Sequence, residues 1–336
     1  SNSVFLPVEV FPSGRRRYPS YSMWRWCINT SELPNRSLES WVKEEQRPLI
    51  VGEVLFDVMP DGTRVLGGAP FNVAWHLEAF GLRPLIVTSV GDDETGDEVL
   101  SAMETWGMDV SAVQRDKANP TGQVQVDLRD GEPTFHILAD QAYDHIDGDL
   151  AVRSVAEEAF SLLYHGSLIS RGEISRCALD RIKNEFGLPV FVDVNLRAPW
   201  WKRADVVASV RHARWVKLNE GELDVLADGS GGGAAGVFRV NHELDAVIVT
   251  RGNRGAVVVD SNGTFEAAPP TKVQVIDTVG AGDAFSAVFI LGLMRGWTTD
   301  QTLKRAVSFA AAVCTVSGAT TADRSLYSRF ADEGWW

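Results

Sequence analysis

The chain has 336 residues, of which 45% are hydrophobic and 23% charged, and its formal net charge is −13. These values are typical of a soluble globular protein with one large α/β domain or two small ones. The acidic balance argues against a nucleic-acid surface, which needs clustered Lys and Arg, and no apolar run approaches the ~18 residues of a membrane span. The three cysteines (Cys27, Cys177 and Cys314) form no CxxC pattern, which indicates thiols in a reducing, cytoplasmic location and no zinc site.

Residues 1–47 show neither a helical nor a strand period, and they contain an arginine run at 15–17 and several tryptophans. They hold no apolar core followed by a small-residue cleavage site, so we do not expect a secretory signal. We interpret the segment as an N-terminal extension of the domain that follows. In the alternative interpretation, its tryptophans cover an apolar patch of that domain.

From residue 48 the pattern becomes regular. The apolar residues from Leu49 to Phe56 predict one strand that opens the domain, with Asp57 at its far end. A turn at Asp61-Gly62 and a glycine pair at Gly67-Gly68 follow. The next predicted elements are a helix over Phe71–Phe80, a strand over Pro84–Val90, a helix over Thr95–Trp106 and a hairpin formed by 122–128 and 133–138.

Beyond residue 149, apolar strands alternate with helical segments, which predicts a mostly parallel sheet covered by helices on both faces. The predicted strands are Leu162–His165, Val190–Val194, Trp215–Leu218 and Ala246–Thr250. The predicted helices are Glu173–Phe186, Asp283–Arg295 and Thr299–Ser317.

The turn at 277–283, Asp-Thr-Val-Gly-Ala-Gly-Asp, leads into one of these helices. Its small residues let backbone N–H groups approach a ligand, and the first N–H groups of a helix attract anions such as phosphate. A carboxylate at such a site repels phosphate, so Asp283 needs a reason to be there. It is either a general base that takes a proton from an attacking hydroxyl or simply the N-cap of the helix.

Five motifs now carry a resemblance to a known family. Asp277-Thr278-Val279-Gly280-Ala281-Gly282-Asp283 resembles the C-terminal signature of the ribokinase-like (PfkB) carbohydrate kinases. Gly67-Gly68-Ala69-Pro70-Phe71-Asn72-Val73-Ala74 resembles their N-terminal sugar-site signature in its bacterial fructokinase form. The other matches, in family order, are Asp193-Val194-Asn195-Leu196-Arg197, Asn219-Glu220-Gly221-Glu222, and Thr250-Arg251-Gly252 with Gly255.

The similarity covers roughly residues 48–325 and leaves 326–336 as a C-terminal tail. It implies an α/β fold: a three-layer α/β/α sandwich with a mostly parallel central sheet and a small β-sheet lid from segments near 58–66 and 122–138. One departure is Val288, where the family usually has Gly or Ala, and this concerns local packing rather than chemistry.

The resemblance implies a sugar site and a catalytic group. Asp57, Gly67, Gly68 and Asn72 would hold the sugar hydroxyls, although Asp57 and Asn72 could instead be a turn former and a first-turn helix residue. Asp283 would be the general base. The N–H groups of Gly280, Ala281 and Gly282 would stabilise the charge of the transferred phosphoryl group.

The resemblance also implies a nucleotide and metal site. Asn219 and Glu222 resemble a motif that supports Mg²⁺ and its waters. Glu222 could instead be a solvated helix-face carboxylate, but its spacing from the strand end at Leu218 favours the metal site. Thr250, Gly252 and Gly255 would lie along ATP or only form a hairpin. Arg197 could pair with phosphate or anchor its loop on Trp200 and Trp201. Asp277 resembles a K⁺-binding position, with backbone carbonyls near Ser317 and Gly318.

The expected function is therefore ATP-dependent phosphorylation of the primary hydroxyl of a sugar, with D-fructose as the expected acceptor. The alternatives are a kinase for another sugar or a nucleoside (ribose, 2-keto-3-deoxygluconate or adenosine) and a catalytically silent sensor. The expected partners are a sugar and ATP, with no nucleic acid and no membrane. An open lid sheet has an edge that could pair with a second copy to form a homodimer.

Overall fold

The computed structural model describes residues 46–335, apart from 130–131, 228–232 and 271–273. The N-terminal extension therefore lies almost wholly outside the described residues. Its expected last residue, Arg47, instead begins the first strand of the domain.

Most of the strands form one sheet of nine, in the order β13-β12-β11-β10-β9-β8-β1-β4-β5. Seven of its strands are parallel; β12 then pairs antiparallel to β11, and β13 pairs antiparallel to β12. The strands of this sheet are β1 (Arg47–Val51), β4 (Leu85–Gly91), β5 (Val113–Asp116), β8 (Phe160–Gly166), β9 (Val190–Asp193), β10 (Trp215–Asn219), β11 (Ala246–Thr250), β12 (Ala256–Asp260) and β13 (Gly263–Ala267).

A second sheet has four strands in the order β3-β2-β6-β7. Its strands are β2 (Leu55–Val58), β3 (Arg64–Gly67), β6 (Gly122–Arg129) and β7 (Glu132–Ile137). The last two form the predicted antiparallel hairpin, and β2 pairs parallel to β6. This is the small sheet that was expected as a lid.

Ten α-helices are assigned within the described residues. They are α1 (Ala69–Ala79), α2 (Glu94–Trp106), α3 (Gly148–Val155), α4 (Glu173–Phe186), α5 (Arg203–Arg211), α6 (Glu220–Leu226), α7 (Ala234–Asn241), α8 (Ala281–Arg295), α9 (Thr299–Val313) and α10 (Ser325–Asp332). None of the helices in the described ranges is both long enough and apolar enough to cross a membrane.

The large sheet has helices on both faces, and the alternation along its strands shows why. In β1, Ile50 belongs to a core shared with α1, α2, α8 and α9, whereas Leu49 and Val51 belong to a core shared with α3 to α7. Successive side chains of a strand point to opposite faces, so a strand buried on both sides reads as a continuous apolar run. The predicted three-layer α/β/α fold is confirmed.

The predicted single strand from Leu49 to Phe56 is wrong. The chain leaves the large sheet after Val51 and enters the small sheet at Leu55, where β2 pairs with β3 and β6. Gly52 and Glu53 form the joint, and a β-carbon on Gly52 would lie 2.5 Å from Cγ of Pro70, so only glycine fits there. Asp57 therefore lies within a strand of the small sheet and not at a strand end of the large one.

The connections place a topological switch point at β1 in the large sheet. The chain runs from β1 outward to β4 and β5 on one side and to β8, β9, β10 and β11 on the other. In such sheets, ligands bind outside the carboxyl ends of the strands at the point where the order reverses. Asp193, Asn219 and Thr250 are the last residues of three of these strands.

The last described segment packs against the large core. α10 carries Tyr327 and Phe330, which are both buried, and Trp335 behind it is buried as well. Tyr327 Oη lies 2.9 Å from Nδ1 of the fully buried His76 on α1. The segment assigned to a C-terminal tail thus includes most of a helix that covers α1 and α9.

Candidate active site

The turn that precedes α8 is built for close backbone approach. Gly280 is the N-cap of α8 and has a left-handed φ of 76°. A β-carbon at this position would lie 2.4 Å from Cβ of Ala319, so a larger residue would push the two segments apart. The helix begins at Ala281, two residues before the predicted start, and its first N–H groups face the turn.

Asp283 lies in the first turn of α8 and is not its N-cap, so the alternative interpretation as a capping residue does not hold. Its Oδ2 accepts a hydrogen bond of 2.8 Å from Nδ2 of Asn72, which is 211 residues away in the chain. Burial is the main reason that the pKa of Asp283 rises from 3.8 to about 6, with the Asn72 hydrogen bond and the charge of Lys217 opposing the rise. The carboxyl group is therefore mostly ionised at neutral pH, which lies only about one pH unit above its pKa.

The predicted sugar-binding residues come together around Gly67. A β-carbon on Gly67 would lie 3.7 Å from Oδ2 of Asp57 and 3.8 Å from Oδ1 of Asn72, so both oxygens face the same small space. Oδ1 of Asn72 is buried and has no hydrogen-bond partner within the described part of the chain. Gly68, with φ of 108°, passes so close to the Glu53 carbonyl that a β-carbon there would lie 2.7 Å from its oxygen.

Asp57 is half-buried, and desolvation raises its pKa from 3.8 to about 6, with the charge of Arg197 opposing the rise. Buried polar atoms are normally satisfied by protein or by ligand. The unpartnered Asn72 oxygen beside the Asp57 carboxylate therefore suits a ligand that donates hydrogen bonds, such as a polyol.

Glu53, in the joint between β1 and β2, is a site residue that the sequence analysis did not identify. Its side chain is buried and Oε2 lacks a partner among the described residues. Burial raises its pKa from 4.5 to about 7, and the charge of Asp283 adds to the rise while that of Arg197 opposes it. An acidic residue two positions after the apolar run that ends at Val51 was the signal available in the sequence.

Arg197 lies with the sugar-side carboxylates. Its positive charge lowers the pKa of Asp57, of Glu53 and of Asp283, although its own side chain is exposed. The aromatic stacking considered for Arg197 is made by another arginine: the guanidinium of Arg171 lies 4.7 Å from the ring centroid of Trp200.

Asn219 and Glu222 form a capping box at the start of α6. Oδ1 of Asn219 accepts from the Glu222 amide at 2.9 Å, and Oε2 of Glu222 accepts from the Asn219 amide at 2.8 Å. Oε1 of Glu222 also accepts from the amide of Leu196 at 2.7 Å. The solvated-carboxylate alternative for Glu222 does not describe this half-buried group, because each of its two oxygens accepts a hydrogen bond from the backbone.

Each Glu222 oxygen keeps a free lone pair, which suits a Mg²⁺ ion held through water molecules. The described ranges contain no group of three or more His, Cys, Asp or Glu side chains that could hold a metal ion.

Thr250, Gly252 and Gly255 lie at the turn between β11 and β12. The Arg251 amide donates to the Gly255 carbonyl at 2.8 Å, and Gly252 and Gly255 have φ of 57° and 84°. A β-carbon on Gly255 would lie 1.9 Å from the Ala267 carbonyl oxygen, so packing alone explains that glycine. The segment is a hairpin turn at the carboxyl edge of the sheet, which is compatible with either interpretation.

Asp277 ties two segments together beside the anion turn. Its Oδ1 accepts from the Val279 amide at 3.0 Å and its Oδ2 from the Gly318 amide at 2.9 Å. The second contact holds the backbone at Gly318 next to the Asp277 carboxylate. The Asp277 carboxylate and backbone carbonyl oxygens of this segment are ligands of the kind that fit a monovalent cation.

A buried ion pair lies beneath the anion turn, and the sequence analysis did not identify it as part of the site. Nζ of Lys217 donates to Oδ2 of Asp193 at 2.7 Å, and both side chains are less than 10% exposed. The same oxygen accepts from Ser286 Oγ at 2.9 Å and from Tyr164 Oη at 3.2 Å. A lysine within the otherwise apolar run from Trp215 to Leu218 was the signal available in the sequence.

The chain is similar to known proteins in both sequence and structure. The profile of the pfkB family carbohydrate kinases matches residues 52–325. A fructokinase from Klebsiella pneumoniae is 31% identical over 82% of this chain and 94% of its own length. Fructoselysine 6-kinase from Escherichia coli is 27% identical over 80% of this chain and 97% of its own.

Among solved structures, a double-mutant fructokinase from Vibrio cholerae O395 with bound fructose, ADP and potassium ion is similar to this chain. It has a TM-score of 0.72 at 26% identity, and the alignment covers 85% of this chain and 99% of that one.

Proposed function

The chain belongs to the pfkB family of carbohydrate kinases, and on that premise we propose that it transfers the γ-phosphoryl group of ATP to the primary hydroxyl of D-fructose. The observation that carries the proposal is the 2.8 Å hydrogen bond between Asn72 and Asp283, beside the start of α8. It joins a candidate base to a cluster of hydroxyl-binding oxygens at a helix N-terminus. The similarity to fructokinases supports fructose as the acceptor.

In the proposed reaction, Asp57 and Oδ1 of Asn72 accept hydrogen bonds from the sugar hydroxyls, and the backbone at Gly67 and Gly68 packs against the ring. Asp57 lies on the small sheet and Asn72 on α1, so a bound sugar contacts both layers of the site. Closure of the small sheet over the sugar would exclude water, which competes as a phosphoryl acceptor.

Asp283 takes the proton from the attacking hydroxyl as the bond to phosphorus forms. It must be ionised to do so, and a base whose pKa of about 6 lies just below neutral pH combines a large ionised fraction with useful basicity. The N–H groups of Gly280, Ala281 and Gly282, at the positive end of α8, stabilise the negative charge on the transferring group.

ATP would lie along the carboxyl edge of β10 and β11, near Asn219, Thr250, Gly252 and Gly255. Val275, Ile276 and Val279 are exposed apolar residues next to the anion turn, which suits the base of a nucleotide. Glu222 would hold the waters of Mg²⁺, which neutralises phosphate charge when bound. Asp277 and the carbonyls near Gly318 would hold K⁺.

A panel of acceptors tests the proposal. We expect D-fructose to have the highest kcat/KM for ADP release, with ribose, adenosine and fructose 6-phosphate markedly lower under one ATP and Mg²⁺ condition. The rigid turn between Gly68 and Pro70 fixes where hydroxyls must lie, and each buried polar group left unpaired costs on the order of 1–3 kcal/mol. If ribose or adenosine has the highest kcat/KM, the fructokinase assignment is replaced by that of a kinase for another sugar or for a nucleoside. If no acceptor is phosphorylated, the silent-sensor alternative is favoured.

A further inference from the structure

The buried pair Lys217–Asp193 lies where it can act on Asp283. A β-carbon on Gly282 would lie 3.4 Å from Nζ of Lys217, so the ammonium group sits directly below the anion turn. Ser286, which donates to the same carboxylate as Lys217, is one helical turn beyond Asp283 on α8. The pair therefore links the ends of β9 and β10 to the first turns of α8.

Stability alone is a poor account of this pair. Removing two charges from water costs several kcal/mol per ion, and an apolar pair of similar volume is often equally stable. The electrostatic effect on the neighbouring carboxyl group is direct: the negative charge of Asp193 raises the pKa of Asp283, and the positive charge of Lys217 lowers it and so offsets the effect of Asp193.

Few other charged or titratable groups face Asp283 among the described residues. Arg197 lowers its pKa, the Asn72 amide lowers it through the hydrogen bond, and Glu53 interacts with it through mutual repulsion. Tyr164 also feels the charge of Asp283 but stays neutral, because burial raises its own pKa well above the usual range. Lys217 is the buried cation in this set, since Arg197 is exposed to solvent screening.

We propose that Lys217 is a positioning residue for phosphoryl transfer: its ammonium group, held 2.7 Å from Asp193 directly below the anion turn, offsets the negative charge that Asp193 places beside Asp283. This inference rests on the proposed function of Asp283 as the general base. Lys217 and Asp193 act through Asp283 and through the anion turn, and neither is assigned contact with the acceptor.

Two variants with opposite charge effects test the proposal. In Lys217→Met, Ser286 and Tyr164 still hold the Asp193 carboxylate, so its negative charge faces Asp283 without compensation. We expect the midpoint of the acid limb of the kcat/KM–pH profile to shift to higher pH by about one pH unit or more. In Asp193→Asn the cation remains without its counter-charge, and the midpoint of the acid limb should shift to lower pH by a similar amount.

The control is Lys183→Met. Lys183 is also a partly buried lysine whose pKa is lowered by burial, but it lies on α4 away from the site. Its variant should leave the acid limb where it is in the wild-type protein. The double variant Asp193→Asn/Lys217→Met removes both charges and should return the limb close to the wild-type position, which also covers the case in which a single variant fails to fold.

A second measurement does not depend on turnover. The titration of the Asp283 carboxyl carbon is followed by ¹³C NMR in the ligand-free proteins, with the signal assigned by its loss in Asp283→Asn. Opposite movements in the two single variants support the inference. A titration midpoint that stays fixed, or moves the same way in both, overturns it. If the midpoints move as expected but no acceptor is phosphorylated, the proposed function fails while the electrostatic role of the pair stands.

Discussion

Replacing Asp283 by Asn should separate activity from stability. The amide oxygen of Asn can still accept the 2.8 Å hydrogen bond from Asn72, so the local geometry is retained. It cannot accept the proton of an attacking hydroxyl, and loss of a general base typically lowers turnover by ~10²–10⁴. We therefore expect kcat to fall by this factor while the affinity for the sugar is kept.

The effect on stability follows from the pKa of Asp283. Because the value is raised from 3.8 to about 6 in the folded protein, the ionised form is disfavoured there, and stability is lost as the pH rises from about 4 to about 6. Above that range the full cost is present, and the difference corresponds to about 3 kcal/mol. Asn carries no charge, so the free energy of unfolding at pH 7.5 should rise by up to about 3 kcal/mol, less whatever the new amide N–H group costs.

Steady-state ADP release and urea unfolding at pH 7.5 and pH 4 measure the two effects. The expected stabilisation is present at pH 7.5 and absent at pH 4. Asp300→Asn is the matched control, since Asp300 also lies in the first turn of a helix, α9, but far from the site. Near wild-type turnover in a folded Asp283→Asn protein would refute the base assignment, and a lower stability at pH 7.5 would refute the electrostatic reasoning.

Three further outcomes are expected. In the wild-type protein, kcat/KM should fall about tenfold per pH unit below about 6, because Asp283 must be ionised; a flat profile down to pH 5 would contradict this. Turnover should be faster in K⁺ than in a large organic cation at equal ionic strength, and equal rates would leave Asp277 as a turn residue only. Deletion of residues 1–45 should leave kcat and KM unchanged. Deletion through Arg47 should lower the melting temperature, because Arg47 pairs with Asp109 at 2.8 Å and with Glu158 at 2.7 Å. A large rise in sugar KM after the shorter deletion would show that the extension reaches the site.

Local patterns in the sequence predict the fold well where the residues of a segment alone determine its secondary structure. Helix α4 and strand β11 have the predicted bounds, since capping glycine and continuous apolar character mark them unambiguously. The division of residues 49–57 into β1 and β2 could not be predicted. Whether Leu55 continues the large sheet depends on its pairing with Gly122 across the small sheet, which no local pattern encodes.

The candidate site shows the same contrast. The small-residue turns and the short polar residues beside them are readable because their motifs are contiguous. The Lys217–Asp193 pair and the buried Glu53 depend on which strands become neighbours, and Lys217 and Asp193 belong to strands that pair in register. The turn around Gly280 needs its glycine because of Ala319, which only the folded chain brings near.

The split between the two sheets has a consequence for redesign. Asp57 stands on β2 of the small sheet, whereas Asn72 and Asp283 stand on helices packed against the large one. On the proposed assignment, Asp57 can be varied on a different structural unit from the group that accepts the proton, while Asn72 stays with that group. A mutant library confined to inward-facing positions of β2 and β6 should therefore yield new acceptor preferences while the chemistry of the transfer step is preserved.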